Sequence, residues 1–149
     1  MKACTFFGHR DTPEKIEPIL KRSIINLIVN ENVTRFYVGN QGGFDLMCRN
    51  ILMELSDLYD IKYDVVLAYI GGKKQDYEPY KSINTIFPDG IERTPPRFAI
   101  SYRNKWMIKQ SDYIITYVTH NWGGAANFKS LAEKKGKTII ELSTYFTDN

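Results

Sequence analysis

The chain has 149 residues, of which 43% are hydrophobic and 25% are charged, and this composition excludes a largely disordered chain. The formal net charge of +3 is too small to indicate a nucleic-acid binder by itself. No apolar stretch reaches the ~18 residues of a transmembrane helix, and the short apolar run near Met1 predicts no signal peptide.

Cysteine and histidine usage argues against a disulfide framework and against a zinc site. Cys4 and Cys48 are the only cysteines, which is typical of a protein of the reducing cytoplasm. His9 and His120 are the only histidines, and no Cys/His spacing matches a zinc-binding pattern. We therefore expect a cytoplasmic protein with no metal and no cofactor, and no association with a membrane.

Short apolar runs alternate with segments of helical periodicity along the chain. The predicted elements of the first half are a strand at 3–8, a helix from Pro13 to about Asn30, a strand at 35–38, a helix after Gly42-Gly43 and a strand at 63–70. Residues 71–99 are rich in proline, tyrosine and charge and predict an insertion or a lid. Beyond it we predict a helix at 100–110, a strand at 113–118, a helix at 124–135 and a strand at 137–142.

This alternation predicts a single α/β domain over residues 1–149. We expect a Rossmann-like three-layer sandwich, with helices on both faces of a mostly parallel five-stranded sheet in the order 3-2-1-4-5. Ligands of such sheets bind at the carboxyl ends of the strands, where the chain direction reverses.

Three glycine-bearing loops follow strands that are neighbours in this order. They are Gly8-His9-Arg10, residues 39–45 and residues 119–125. They must therefore line one crevice. Glycines let a phosphate approach backbone N–H groups, and two of the loops open directly into helices whose N-termini attract anions. The same glycines can instead serve only tight turns, but the convergence of three loops favours a ligand, to which Arg10 would add a cation.

These segments resemble the SLOG superfamily of Rossmann-like nucleotide-binding proteins, which includes a DNA-processing branch and the Lonely Guy phosphoribohydrolases. Residues 38–45 and 122–128 resemble its two glycine motifs. Residues 101–107 followed by Ser111-Asp112, together with residues 6–10, resemble its small stand-alone bacterial or phage-type members. The resemblance spans almost the whole chain, with residues 71–99 matching least.

One departure bears on activity. The phosphoribohydrolases carry a glutamate one turn into the helix after the second glycine motif. The matching register here places Ala126 at the last glycine and Ser130 at the glutamate, and the nearest acid on that helix is Glu133. The resemblance therefore implies nucleotide binding and argues against that hydrolase activity.

The loops and the resemblance together define the candidate site. The candidate ligand-binding residues are Gly8, His9, Arg10, Gly39, Asn40, Gln41, Gly42, Gly43, Asp45, Arg103, Asn104, Trp122, Gly123, Gly124, Ala125 and Asn127. Asp45 either caps its helix or acts on the ligand, as a ribose contact or a general base, and it is the candidate catalytic residue. Trp122 either stacks on a base or packs at the rim.

We expect the ligand to be a nucleotide or a nucleotide-derived molecule: a nucleoside phosphate, an ADP-ribose-like compound or a signalling nucleotide. One alternative is an enzyme that cleaves the N-glycosidic bond of a nucleoside monophosphate, with Asp45 or Glu133 replacing the missing acid. A second alternative is a DNA-binding protein of the DNA-processing type. A homo-oligomer is expected, because small domains with exposed Tyr, Trp and Met often pair.

Overall fold

The computed structural model of the chain describes residues 1–69 and 84–146. Its strands are β1 (Lys2–Gly8), β2 (Val33–Val38), β3 (Lys62–Val66), β4 (Thr85–Ile86), β5 (Tyr113–Tyr117) and β6 (Thr138–Glu141). Its α-helices are α1 (Glu17–Glu31), α2 (Gly42–Leu55), α3 (Ala99–Gln110) and α4 (Gly124–Lys134). β3 ends at Val66, whereas the sequence predicted a strand that continues to Ile70. Residues 71–83 of the predicted insertion lie outside the described residues.

All six strands are parallel and form one sheet in the order β4-β3-β2-β1-β5-β6. The predicted order 3-2-1-4-5 is confirmed for the five strands that the sequence indicated. The predicted strand count of five was wrong, because the two-residue strand β4 adds a sixth at the outer edge of β3. So short a strand leaves no periodic pattern in the sequence.

Helices cover both faces of the sheet, as the α/β prediction requires. On one face α1 and α2 bury Leu20, Ile24 and Leu52 against the strands. On the other face α3 and α4 bury Met107 and Ala132. The central strand β1 is buried from Ala3 to Phe7, because both of its faces are covered.

The first helix begins later than predicted. A 3₁₀ turn occupies Glu14–Ile16, and α1 starts at Glu17 with Pro18 in its first turn. Proline suits that position, since the first N–H groups of a helix have no intrahelical partner. The proline that opens the α-helix is therefore Pro18, and Pro13 precedes the 3₁₀ turn.

The described part of the predicted insertion runs from residue 84. It contributes β4 and two 3₁₀ turns, Ile91–Arg93 and Pro96–Phe98, before α3 begins at Ala99. The hydroxyl of Tyr102 on α3 donates a hydrogen bond to the backbone carbonyl of Asp89. This bond joins the segment around Asp89 to the first turn of α3.

Both cysteines, Cys4 and Cys48, are buried free thiols. Among the described helices, none combines the length and the apolar character needed to cross a membrane. Residues 1–69 and 84–146 contain no group of three or more His, Cys, Asp or Glu side chains placed to hold a metal ion.

Candidate functional site

A cavity of about 150 Å³ lies where the loops after β1, β2 and β5 meet. We call it the loop cavity. It is lined by Phe6, Phe7, Gly8, Gln41, Asp45, Ile100, Arg103, Asn104, Met107, Gly124, Ala125 and Phe128. The structure therefore brings together one or more residues from each of the three loops that the sequence singled out, at the carboxyl edge of the sheet.

Arg103 is the charged centre of the loop cavity. Its side chain is only 2% exposed, and its guanidinium donates hydrogen bonds in several directions. The acceptors are Asn104 Oδ1 at 2.7 Å, the Val66 carbonyl at 2.8 Å, Asn40 Oδ1 at 3.2 Å and Gln41 Oε1 at 3.3 Å. One side chain from α3 thus ties the end of β3 to the loop after β2. Arginine suits this role because its donors are fixed in a planar fork.

Gly39 lies between the two charged groups of the loop cavity. A Cβ added to Gly39 would fall 2.6 Å from Asp45 Oδ2 and 3.2 Å from Arg103 Cζ. Any larger residue would therefore separate the carboxylate from the guanidinium. The neighbouring Asn40 is fully buried, and its Nδ2 has no hydrogen-bond partner within the described chain.

Asp45 fulfils the capping role that the sequence allowed for it. Its Oδ2 accepts a hydrogen bond from the backbone N–H of Gln41 at 3.0 Å, at the N-terminus of α2. Its side chain also lines the loop cavity. The capping bond holds the carboxylate at the cavity wall.

The glycines that open α2 serve the packing of two loops. The backbone N–H of Gly43 donates to the carbonyl of Arg10 at 2.8 Å. A Cβ on Gly43 would fall 2.7 Å from that carbonyl oxygen, and one on Gly42 would fall 3.0 Å from Arg10 Cα. Their close backbone contact is with Arg10, and the N–H of Gly43 is used in that contact.

Gly8 also has a packing reason, since a Cβ there would overlap the ring of Phe44. Gly124 is different. It is exposed at the first turn of α4, and a Cβ built on it would meet nothing within 4 Å. The preceding residue, Gly123, has φ +93°, which disfavours other residues, and it makes no side-chain cap. The N-terminus of α4 therefore begins at the loop cavity without a side-chain cap and with open space beside Gly124.

The two histidines and Trp122 form a ring stack beside the cavity rather than in its wall. The His9 and His120 ring centroids are 4.0 Å apart, and those of His120 and Trp122 are 3.7 Å apart. His9 Nε2 accepts the backbone N–H of Thr119 at 2.9 Å, so its proton belongs on Nδ1. Burial, and then the nearby His120, lower the pKa of His9. His9 thus joins the loop after β1 to the loop after β5.

Glu133, the acid that could replace the missing glutamate, does not line the loop cavity. Glu133 and Ser130 line a separate groove with His120 and Asn121, on another side of α4. Asn127 is exposed on the same helix and is not in the wall of the loop cavity. Glu133 therefore cannot replace a catalytic acid in the loop cavity.

Glu141, at the end of β6, anchors the loop after β5 and was not anticipated from the sequence. Its carboxylate accepts the Thr116 hydroxyl at 2.7 Å and the Val118 N–H at 2.9 Å, and it pairs with Lys129 at 3.0 Å. Burial raises the pKa of Glu141, but these hydrogen bonds outweigh it and hold the pKa below its usual value. No motif marks this residue, since its partners are distant in sequence.

The apolar wall of the loop cavity was also missed. It consists of Phe6, Phe7, Ile100, Met107 and Phe128. A signal for part of it existed, because Ile100, Arg103 and Met107 recur at helical spacing and so share one face of α3. That spacing is equally typical of residues that pack in a core.

Two solved structures share this architecture. DNA processing protein A from Streptococcus pneumoniae superposes with a TM-score of 0.72 at 14% sequence identity, over 95% of this chain and 50% of that one. The same protein from Helicobacter pylori gives 0.67 at 15% identity, over 94% of this chain and 64% of that one. The chain shares the fold of the matched part of DNA processing protein A.

This finding confirms the Rossmann-like fold that the SLOG resemblance implied. The chain spans about half of the Streptococcus pneumoniae protein and under two thirds of the Helicobacter pylori protein. The structural study of the latter concerns its single-stranded DNA binding mode. No protein-family model and no curated protein sequence matches the chain.

Replacing Arg103 by lysine is expected to destabilise the fold. A single ammonium cannot reach the acceptors on Asn40, Gln41 and Val66 together, so buried acceptors lose their partner. We expect the free energy of unfolding to fall by about 2–4 kcal/mol, measured by urea denaturation. Arg97→Lys, at an exposed position near α3, should change it by less than about 0.5 kcal/mol. Equal effects of the two variants would contradict the central role of Arg103.

The pKa of His9 provides a second test of this geometry. His120→Ala removes both a neighbouring charge and part of the cover over the ring, so the pKa of His9 should rise toward 6.5. Glu141→Gln should lower it further, because the Glu141 carboxylate favours the protonated ring. NMR titration of the imidazole resonances measures both changes. Shifts of the same sign in the two variants would contradict the assigned causes.

The lowered pKa of His9 also makes stability depend on pH. The unfolded chain binds a proton at His9 more readily than the folded chain does. The contribution of His9 to the free energy of unfolding is therefore fully present above about pH 6.5. It is lost as the pH falls from there through the pKa of His9 in the folded chain.

Proposed function

We propose that the chain binds a nucleotide or a nucleotide-derived ligand at the loop cavity. The observation that carries the proposal is the uncapped start of α4 at Gly124, placed at the same cavity as the buried guanidinium of Arg103 and the carboxylate of Asp45. A helix N-terminus attracts a phosphate, and a fixed carboxylate accepts hydrogen bonds from sugar hydroxyls.

The residues divide these tasks by their chemistry. The first-turn N–H groups of Gly124 and Ala125 would take the phosphate, since the open space at Gly124 permits close approach. Arg103 adds positive potential from beneath. Asp45 would accept a ribose hydroxyl, because its position is already fixed by the N–H of Gln41. No cofactor is required for this role.

The size of the loop cavity limits how the ligand sits. Pockets that enclose drug-sized ligands have volumes of about 300–1,000 Å³, whereas this cavity has about 150 Å³. It encloses one part of a nucleotide, and the rest extends over the rim. Trp122, which is 67% exposed and backed by His120, offers a flat surface to an extended ligand on that side.

The resemblance supports the same proposal. A small stand-alone member of the SLOG superfamily would use these loops for a nucleotide, as an intracellular binding module. Two free buried thiols suit the reducing cytoplasm that the sequence predicts. The hydrolytic alternative would rest on Asp45 alone, since Glu133 lies in another groove. We therefore propose binding as the function.

Binding can be measured by calorimetry and thermal shift with nucleoside monophosphates, dinucleotides, ADP-ribose and cyclic nucleotides. Gly124→Val should weaken binding of the responding ligand tenfold or more, because the side chain would occupy the phosphate position. It should change the free energy of unfolding by less than about 1 kcal/mol, because nothing lies within 4 Å of the added Cβ.

Ser130→Val is the matched control, since Ser130 is on the same helix but lines the other groove. It should leave affinity unchanged. Retained affinity in folded Gly124→Val would remove the α4 N-terminus from the site, and no response to any ligand in the panel would contradict the proposal.

Single-stranded DNA is a second candidate ligand. It is favoured by the small cavity, which encloses only part of a nucleotide and so lets a longer chain continue over the rim, and by the DNA-binding study of the Helicobacter pylori protein. If this candidate holds, fluorescence anisotropy with a labelled oligothymidylate should show affinity that falls steeply between low and high salt. Gly124→Val should weaken that affinity too. Salt-independent or absent binding, together with a nucleotide response, would exclude the DNA candidate.

A further inference from the structure

A second surface lies between the C-terminal ends of α3 and α4. It is a groove of about 570 Å³ with a rim of lysines over an aliphatic floor. We call it the lysine groove. Its lining residues are Lys105, Ile108, Lys109, Leu131, Lys135 and Lys137. Among the described residues, four cations and no acid line it, although the whole chain carries a net charge of only +3.

The chemistry of the groove favours one kind of occupant. Lysines at helix C-termini complement the helix dipole, which explains Lys109 and Lys135 but not the aliphatic floor. No aromatic side chain of residues 1–69 and 84–146 lines the groove, so these residues give it no stacking surface of the kind that holds single-stranded nucleic acids. An apolar side chain flanked by carboxylates fits this groove. The apolar group would pack on Ile108 and Leu131, and the carboxylates would pair with the lysines of the rim.

The chain itself presents such a feature, in the turn that follows α2. Leu58 is 70% exposed and is flanked by the exposed carboxylates of Asp57 and Asp60. Backbone hydrogen bonds from Leu58 and Tyr59 to the Leu55 carbonyl, at 3.0 and 2.9 Å, fix the turn. We call Asp57, Leu58 and Asp60 the acidic turn. No residue of the described protomer buries Leu58, which is 70% exposed. The backbone hydrogen bonds hold the acidic turn in this shape without a partner.

The topology places the acidic turn and the lysine groove at the same edge of the sheet, so that the acidic turn of one copy can contact the lysine groove of another. In a parallel sheet, helices that connect strands end at the edge where the following strands begin. The ends of α2, α3 and α4 therefore lie at one edge, opposite the loop cavity. The acidic turn belongs to one helix layer and the groove to the other. A two-fold axis can then seat each acidic turn in the partner's groove, so that the contact is made twice.

We propose that two copies of the chain associate through this edge, with Leu58 of each copy inserted in the lysine groove of the other. Asp57 and Asp60 pair with the lysine rim, and Leu58 covers Ile108 and Leu131. The proposal is independent of the ligand, because it uses the opposite edge of the sheet.

Charge reversal tests the contact by light scattering coupled to size exclusion and by sedimentation velocity. The wild-type chain should show twice its monomer mass of 17.3 kDa at high concentration. Lys109→Glu/Lys135→Glu should be monomeric, and so should Asp57→Lys/Asp60→Lys, because each variant confronts like charges in both contacts. Mixing the two variants should restore the dimer, since opposite charges then meet in both contacts of the mixed pair.

Arg22→Glu/Lys134→Glu is the charge-matched control. Both of its positions are exposed, and neither lines the groove. It should dimerise like the wild type, and circular dichroism should show that every variant is folded.

Each contrary result overturns the proposal. A wild-type monomer at the highest soluble concentration would do so, as would a dimer that survives either reversal, or two monomeric variants that fail to pair when mixed. A monomer that binds an acidic peptide or an oligonucleotide through Lys109 and Lys135 would assign the groove to that other occupant.

Discussion

The loop cavity depends on one buried cation. Arg103 reaches from α3 across the carboxyl end of the sheet, and its hydrogen bonds hold the β3 terminus and the loop after β2 in one arrangement. Burying a guanidinium is costly unless its donors are matched, so the acceptors around it are constrained as a group. Gly39 is part of the same constraint, because its missing side chain is what lets Asp45 and Arg103 share that space.

The loops at the candidate site are hydrogen-bonded to one another. The backbone carbonyl of Arg10 accepts the N–H of Gly43, and Nε2 of His9 accepts the N–H of Thr119, so the loop after β1 bonds to both of its neighbours. Glu141 adds a further anchor from β6. The candidate site is therefore organised before any ligand arrives, which reduces the ordering entropy that binding must overcome.

The order of the main strands was predictable because apolar runs alternate with helical periodicity, and because crossovers in such folds follow one hand. The convergence of the glycine loops followed from that order. The packing contacts that require glycine at these positions could not be predicted. Gly8 packs against Phe44 and Gly42 against Arg10, and sequence spacing does not show that these residues meet. Arg103 was selected by its likeness to a family motif, but its burial and its partners arise only in three dimensions. β4 and Glu141 were missed because neither leaves a periodic signal.

The brevity of the outermost strands has a consequence for behaviour in solution. β4 has two residues and β6 has four, so in the part of the chain that the structure describes neither edge of the sheet offers a long row of unpaired backbone groups. Long bare margins recruit strands from other molecules and lead to fibrous or amorphous aggregates. The short edge strands of this sheet disfavour such pairing at both edges. Contacts between copies of the chain are then made by side chains, and their charge and shape determine which surfaces bind.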